Sequence, residues 1–320
     1  MKPSRIDAID ALRGVAILAM IAYHLCWDLS WFGHVDWQVS SAPQWRAFAA
    51  GIAGTFLFLA GVSLTLAHQH GMRWRAFWKR EAVIVLAAAG VSLATSFTFG
   101  DAFVRFGILH AIAASSLIAL PFLRAPAWLS LVGAALIASL PLWATSHVFD
   151  GQLLLWTGLG TPDLGAVDYV PLAPWAGLTL LGVGLTRALT ERRGLESVSR
   201  LKIPGMGGRI LNILGRRSLI IYLVHQPILY GLVWSVSAVG LAPDRSANVF
   251  LRDCTKNCAI TFGDEAVCRA SCSCTLERLQ SQGIWGNLVS NPQDPDLRLQ
   301  LNETYRICLR ETPPAPAADD

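Results

Sequence analysis

Charged residues are scarce in this chain. They make up 15% of its 320 residues, whereas 53% are hydrophobic. The apolar residues lie in blocks that are too long and too uniform for a soluble domain of this length. The net charge is only +4, and the Lys and Arg residues fall mainly in two loops between apolar blocks. This distribution excludes a nucleic-acid-binding surface and is typical of a polytopic membrane protein.

Cysteine is nearly absent before the C-terminal segment. Apart from Cys26, all of it lies in the tail: Cys254, Cys258, Cys268, Cys272, Cys274 and Cys308. An even number in a small polar segment predicts a disulfide framework and an oxidising compartment. Zinc binding is the weaker alternative, because the spacings are not C-x2-C pairs and the tail has no His. No metal is expected, and the sequence leaves the disulfide pairing open.

A cleavable signal peptide is also missing, because the first apolar segment is long and has polar residues embedded in it. Segments long and apolar enough to span a bilayer as helices are predicted at about 8–31, 48–68, 82–97, 104–123, 127–144, 171–189 and 218–241. The sixth is rich in Gly and is expected to pack inside the bundle. The predicted fold is an all-α transmembrane bundle of about seven helices (1–241), a disulfide-rich extracytoplasmic segment (242–311) and a disordered tail (312–320).

The orientation follows from the positive charges. With seven spans, nearly all short-loop Lys and Arg fall on the side of the N-terminus, which is therefore predicted to be cytoplasmic. That side holds the loops 69–81 and 190–217 and the turn at Arg124. The loops 32–47, 98–103 and 145–170 and the tail then face outward, in agreement with a disulfide-bonded tail. The segment 145–170 also has room for a short interfacial helix.

The first span carries polar residues that a simple anchor does not need. Ionisable groups at membrane depth often mark a pathway or a reaction site. Asp10 and Arg13 share a helical face, and His24, three turns after Arg13, lies on roughly the same face. Later spans supply matching groups that we expect to line a polar passage: Arg105, His110 and His225. The plainer interpretation is an internal ion pair with histidines that are satisfied by packing.

Beyond the first span, His34 follows a Gly and is flanked by aromatic residues suited to the membrane interface. An imidazole titrates near neutrality, so His34 could serve as a general base or as a nucleophile. A solvated loop residue is the alternative for one isolated His.

Five stretches resemble a known family. RIDAIDALRGVAILAMIAYHLCWDLSWFG, GTFLFLAGVSL, VRFGILHAIA, DYVPLAPWAG and GRRSLIIYLVHQPIL are similar to the bacterial relatives of lysosomal heparan-α-glucosaminide N-acetyltransferase, over about residues 5–238. The resemblance implies a bacterial plasma (inner) membrane enzyme that transfers acetyl from cytoplasmic acetyl-CoA to an amine of an extracytoplasmic amino sugar or glycan. The family's active histidine, in an aromatic-His-x-x-Trp setting, corresponds to His34, and a family asparagine corresponds to His24.

In that reading His34 and His24 are the catalytic candidates, and Arg13 with Asp10 would bind the CoA phosphates. Arg105 would position the acceptor or the acyl carbonyl, while His110 and His225 would line the passage. Direct transfer and an acetyl-histidine intermediate both stay open. The alternatives are a transporter or flippase without chemistry, and an inactive anchor for the tail. The expected partners are the lipid bilayer and the acceptor, not nucleic acid, with homo-oligomerisation left open.

Overall fold

A computed structural model describes residues 6–163, 165–192, 194–201, 203–239, 246–292 and 294–312. The α-helices in these ranges are α1 (Asp7–Trp31), α2 (Pro43–His68), α3 (Trp74–Phe99), α4 (Ile108–Ala119), α5 (Ala127–Trp143), α6 (Leu172–Glu191), α7 (Leu195–Arg200), α8 (Gly205–Arg216), α9 (Ser218–Ala238), α10 (Ser246–Phe262), α11 (Glu265–Ser281), α12 (Trp285–Ser290) and α13 (Pro295–Glu311). Within the described ranges, β-structure is limited to one isolated bridge between Phe106 and Tyr169. The predicted all-α class is therefore confirmed.

Some predictions fall beyond the described ranges. The tail predicted to be disordered lies outside them from residue 313 onward, and so does the end of the last predicted span at 240–241. The chain divides into two compact units, one formed by residues 1–27 and 39–231 and the other by residues 28–38 and 232–320.

Helices occur at all seven positions predicted to span the membrane. In the described part of the chain, five of them are long and apolar enough to cross: α1, α2, α3 with its 3-10 extension, α6 and α9. The other two, α4 and α5, are apolar but have only 12 and 17 residues. At 1.5 Å per residue they extend about 18 and 26 Å, less than the ~30 Å hydrocarbon core. The chain is a multi-pass membrane protein, but seven complete spans are not confirmed.

The shortness of α4 and α5 leaves the rest of the predicted topology unchanged. These two helices follow each other along the chain, so the pair returns to the same side whether it crosses the membrane or only enters it. If the pair only enters the membrane, the turn at Arg124 is the one part of the predicted topology whose depth in the bilayer changes. The loop 145–170, which has room for a short interfacial helix, contains two 3-10 helices, His147–Phe149 and Gln152–Thr157.

Helix α6 is the central element of the first unit. It packs against α5, α2 and α4, and glycines allow the closest of these approaches. An added Cβ at Gly61 of α2 would collide with the Thr179 carbonyl oxygen, and one at Gly182 of α6 with that of Phe58. Small residues permit such backbone contact between membrane helices. The prediction that the Gly-rich sixth span packs inside the bundle is confirmed.

The second unit contains a helical hairpin held by disulfides. Cys254 and Cys258 lie one turn apart on α10, and Cys268 and Cys272 lie one turn apart on α11, so each pair occupies one helical face. The bonds join Cys254 to Cys272 and Cys258 to Cys268, which is the nested pattern of antiparallel helices. A third bond, Cys274–Cys308, ties α11 to α13. The predicted disulfide framework is confirmed.

Candidate active site

Two histidines from opposite ends of the first unit's sequence meet inside it. His24 of α1 and His225 of α9 have ring centroids 4.9 Å apart at an interplanar angle of 65°. His225 is 7% exposed, and the ring of Tyr222, one turn earlier on α9, lies 5.8 Å from it. Pro227 in the same helix cannot donate the backbone hydrogen bond that the Leu223 carbonyl would accept. The structure thus brings together two residues that the sequence placed in a common polar passage.

The hydrogen bonds of His225 determine which of its ring nitrogens carries the proton. Nδ1 lies 2.7 Å from the Tyr222 carbonyl oxygen. A carbonyl only accepts, so Nδ1 is the N–H donor and Nε2 carries a lone pair. Nε2 is buried and has no hydrogen-bond partner among the described residues. His225 therefore presents an unoccupied proton acceptor inside the protein, the form that a general base requires.

A carboxylate of the same unit interacts with Tyr222, the aromatic neighbour of His225. Asp168, in the segment before α6, accepts a hydrogen bond at Oδ2 from the Ile108 backbone N–H at 3.1 Å. Burial raises its pKa from 3.8 to about 6, and the Ile108 N–H bond partly offsets this increase. Its charge acts on the phenol groups of both Tyr23 and Tyr222. Tyr222 also packs against the apolar cluster that contains Ile108, so Asp168 and the histidine pair border one aromatic-lined region.

His110, predicted to line the passage, is held in a hydrogen-bond chain at the start of α4. The Gly107 N–H donates to its Nδ1 at 3.3 Å, and its Nε2 lies 3.4 Å from the Ser92 hydroxyl. That hydroxyl donates to the Val104 carbonyl at 2.6 Å, so it accepts from Nε2–H. Both ring nitrogens are engaged, which favours a structural role, and the passage-lining role stays a prediction.

Arg105 braces two loops of the first unit. Its guanidinium pairs with Asp163 at 2.7 Å, donates to the Asp101 carbonyl and lies 5.0 Å from the centre of the Phe103 ring. These contacts join the loop after α3 to the loop before α6. The structure leaves its predicted role in positioning the acceptor untested.

Asp10 and Arg13, predicted to bind CoA, already have protein partners. Arg13 donates to the Ser63 hydroxyl at 2.6 Å and lies 3.5 Å from Asp10. Asp10 also accepts from Arg216 of α8 at 3.0 Å, and Gly215 allows α8 to reach the Asp10 backbone. This network joins α1, α2 and α8 in the first unit.

A cavity of about 360 Å³ lies at the other end of α6 from Asp168. Its polar lining comes from the ends of α2 and α6 and the turn before α5: Thr65, His68, Gln69, Arg124, Arg187, Thr190 and Glu191. Arg187 pairs with Glu191 at 3.7 Å, whereas Arg124 forms no salt bridge within the described chain. A cavity with two guanidinium groups suits an anionic ligand.

His34 belongs to the second unit, and its position follows from the end of α1. Gly33 has a φ of +73°, and the N–H groups of Gly33 and His34 bond to the Ser30 and Leu29 carbonyls. This is the Schellman pattern, in which glycine adopts the left-handed conformation after the last turn. The helix end, not a disordered loop, therefore places the imidazole.

One neighbour orients the His34 ring. Nε2 lies 2.9 Å from the Ser237 hydroxyl, which itself donates to the Val233 carbonyl at 3.0 Å. The hydroxyl must then accept from Nε2–H, and Nδ1 carries the lone pair. His34 thus presents a lone pair at Nδ1, while its catalytic role stays a prediction.

Several residues with distinctive surroundings were missed by the sequence reasoning. Asp168 and Tyr222 lie in two of the stretches that carry the family resemblance, so an acid directly before an apolar span was a usable signal. Ser237 had no such signal. Glu81 directly precedes the third predicted span, is buried, and lies 3.9 Å from Arg80. Among the described residues no cluster of three His, Cys, Asp or Glu is placed to hold a metal ion.

Comparison with known proteins agrees with the resemblance. A family model described as Heparan-alpha-glucosaminide N-acetyltransferase, catalytic, matches residues 5–227. No curated protein and no solved structure was found to match the chain. The matched range covers more than half of the sequence and includes His24, His34, Asp168 and His225. The chain therefore belongs to the heparan-alpha-glucosaminide N-acetyltransferase catalytic-domain family.

Proposed function

We propose that this protein transfers an acetyl group from cytoplasmic acetyl-CoA to an amine of an extracytoplasmic amino sugar or glycan. Family membership supports acetyl transfer. The observation that carries the proposal is the His24–His225 pair, because its Nε2 lone pair on His225 is buried and unoccupied within the described chain. A packing histidine would use both nitrogens, as His110 does. A histidine that acts as a base for an amine substrate needs one ring nitrogen without a hydrogen-bond partner.

The chemistry explains why a base is required. The acceptor enters as an ammonium ion and must lose a proton before its nitrogen can attack the thioester carbonyl carbon. In the direct route an imidazole takes that proton, the C–N bond forms, and the C–S bond breaks with its electron pair going to sulfur. The nitrogen loses a second proton as the amide forms, and the thiolate takes up one. One proton is released overall.

His34 is the second candidate base and corresponds to the family's active histidine. The donation of its Nε2–H to Ser237 keeps Nδ1 available for a proton or an acetyl group. In a two-step route Nδ1 would attack the thioester first and then pass the acetyl group to the amine. Trapping of acetylated protein from labelled acetyl-CoA without acceptor separates the two routes, because the direct route forms no such species.

We propose that the cavity at the end of α6 receives the phosphates of CoA. This end is the one that the charge count predicts to be cytoplasmic. Arg124 and Arg187 line the cavity. Arg124 forms no salt bridge within the described chain, whereas Arg187 is paired with Glu191 and Arg13 with Ser63 and Asp10. Guanidinium groups bind phosphate through paired hydrogen bonds. Arg13 and Asp10 then position helices near the donor, and the earlier expectation that they bind CoA is the alternative.

A sided assay tests the proposed function. Inside-out vesicles would receive radiolabelled acetyl-CoA outside and glucosamine inside. We expect trapped N-acetylglucosamine with the wild type and its loss in His225→Ala and in His34→Ala. His147→Ala, which changes a fully exposed side chain, is the matched control and should retain activity. Absence of labelled product with any amino sugar would refute acetyl transfer, and glucosamine movement that is insensitive to these changes would support a carrier.

A further inference from the structure

Only one oxygen of the Asp168 carboxylate accepts a hydrogen bond from the described residues. Oδ2 accepts from the Ile108 N–H at 3.1 Å, and this is the one hydrogen bond that the described residues make to the carboxylate. Oδ1 is therefore left for another donor. The side chain belongs to no salt bridge of the described chain, whereas its neighbour Asp163 is paired with Arg105 at 2.7 Å.

The surrounding backbone is built to keep this carboxylate close. Gly107 precedes α4, and an added Cβ there would collide with Asp168 Oδ2 and approach its Cγ to 3.1 Å. Glycine at this position therefore lets the carboxylate reach the first N–H group of α4. The start of a helix also carries partial positive charge, which stabilises the ionised form. The negative charge is thus held at the start of α4.

The charge faces the aromatic region that leads to the histidine pair. Asp168 acts electrostatically on the phenol groups of Tyr23 and Tyr222. Tyr222 packs against the cluster formed by Leu57, Ile108 and Val170, and its ring lies 5.8 Å from that of His225. The Tyr222 side chain therefore interacts with both the carboxylate of Asp168 and the ring of His225. A half-buried carboxylate without a cation is costly, and a positively charged ligand would offset that cost.

We propose that Asp168 is the specificity-determining residue that binds the ammonium group of the acceptor and holds it near the base. This inference rests on the proposed function and adds to it the group that recognises the acceptor's charge. The ammonium ion donates to Oδ1 and forms an ion pair inside the protein. Transfer of one of its protons to an imidazole leaves the amine as the nucleophile and keeps the positive charge near the carboxylate. A hydroxyl acceptor lacks the charge and is discriminated against.

Helix capping is the competing explanation for Asp168, and one substitution separates the two. Asp168→Asn keeps an oxygen that can accept from the Ile108 N–H, but it removes the negative charge. If Asp168 only caps α4, this variant will behave like the wild type. If Asp168 binds the ammonium group, the variant will bind amines weakly and will leave the donor side unchanged.

The experiment measures transfer with purified protein in lipid nanodiscs. In Asp168→Asn the KM for glucosamine should rise roughly tenfold or more, the typical effect of a lost charge-assisted hydrogen bond, while the KM for acetyl-CoA stays within about twofold. Asp150→Asn, which changes an exposed loop acid of the same unit, is the control and should leave both values unchanged. An unchanged KM for glucosamine, or an equal rise in both values, would overturn the proposal.

A binding measurement on the wild type keeps the test independent of the variant's folding. Glucosamine should raise the unfolding temperature, whereas N-acetylglucosamine at the same concentration, which has no ammonium group, should raise it less. Equal stabilisation by the two sugars overturns the proposal. Charge-selective binding without acetylated product would refute the proposed function and leave the role of Asp168 standing. Product formation with an unaffected Asp168→Asn variant would support the proposed function and overturn the role of Asp168.

Discussion

Replacement of Asp168 by Asn should stabilise the protein at neutral and alkaline pH and have little effect near pH 4. Burial raises the pKa of Asp168 from 3.8 to about 6. The folded state therefore binds this proton more tightly than the unfolded state does. Ionisation favours unfolding, and the resulting penalty grows between about pH 4 and pH 6 and is complete above pH 6.

The size of the effect follows from the same two pKa values. A difference from 3.8 to about 6 corresponds to roughly 3 kcal/mol at 1.36 kcal/mol for each pH unit. This is an upper value for Asp168→Asn, because the amide must also be buried with one of its groups lacking a partner. The Ile108 N–H keeps an acceptor in the variant, so loss of the helix cap should not mask the gain.

The assay is the unfolding temperature of the wild type and the variant in detergent between pH 4.5 and 8.5. The variant should be the more stable at pH 8, and the difference should shrink as the pH falls below 6. Asp150 is the control, because hydrogen bonds from Thr161 and His147 lower its pKa instead of raising it. Asp150→Asn should therefore not stabilise the protein at high pH. A variant that is less stable at pH 8, or a difference independent of pH, would show that the folded protein fully compensates the charge of Asp168.

Three further outcomes follow from the packing. Gly182→Ala should lower the unfolding temperature of the first unit and the yield of folded protein, since its Cβ would collide with a carbonyl of α2. Loss of the Cys274–Cys308 bond, which closes a separation of 34 residues, should destabilise the second unit to denaturant by about 4 kcal/mol. Ser237→Ala should reduce acetyl transfer if His34 is the base, because its Nε2–H loses the acceptor that fixes the tautomer.

Each of these predictions has a matched control. Gly231→Ala meets no atom within 4 Å of the added Cβ and should leave stability unchanged. Removal of the Cys258–Cys268 bond, with a separation of 10, should cost less, about 3 kcal/mol. Ser237→Thr keeps the hydroxyl and should restore activity. A result in which the control and the test variant change equally would count against the reasoning in each case.

Part of the structure could be predicted from local properties of the sequence. A continuous apolar stretch must hydrogen-bond its own backbone in a membrane, so the helices of the first unit follow from composition and length. The disulfide framework follows from the clustering of cysteines. The pairing itself stayed open in the sequence, and the structure supplied the nested bonds between α10 and α11. The position of His34 follows from Gly33, since a left-handed residue ends α1 there.

Contacts between distant segments needed the tertiary structure. Helical periodicity places His24 and His225 each on a face of its own helix, but it cannot state which faces meet, because packing depends on where glycines such as Gly61 and Gly182 let backbones approach. The same limit applies to Asp168, whose partner on α4 is far away in sequence.

The sequence by itself determined that this is a membrane protein of helices with a cysteine-stapled tail, because hydrophobicity and residue spacing act over one or two turns. Only the tertiary structure decided that His225 has one ring nitrogen free, that His110 has none, and that the carboxylate of Asp168 accepts from the first N–H group of α4. Those properties depend on which hydrogen-bond donors and acceptors three-dimensional packing brings within about 3 Å, and no local pattern encodes that distance.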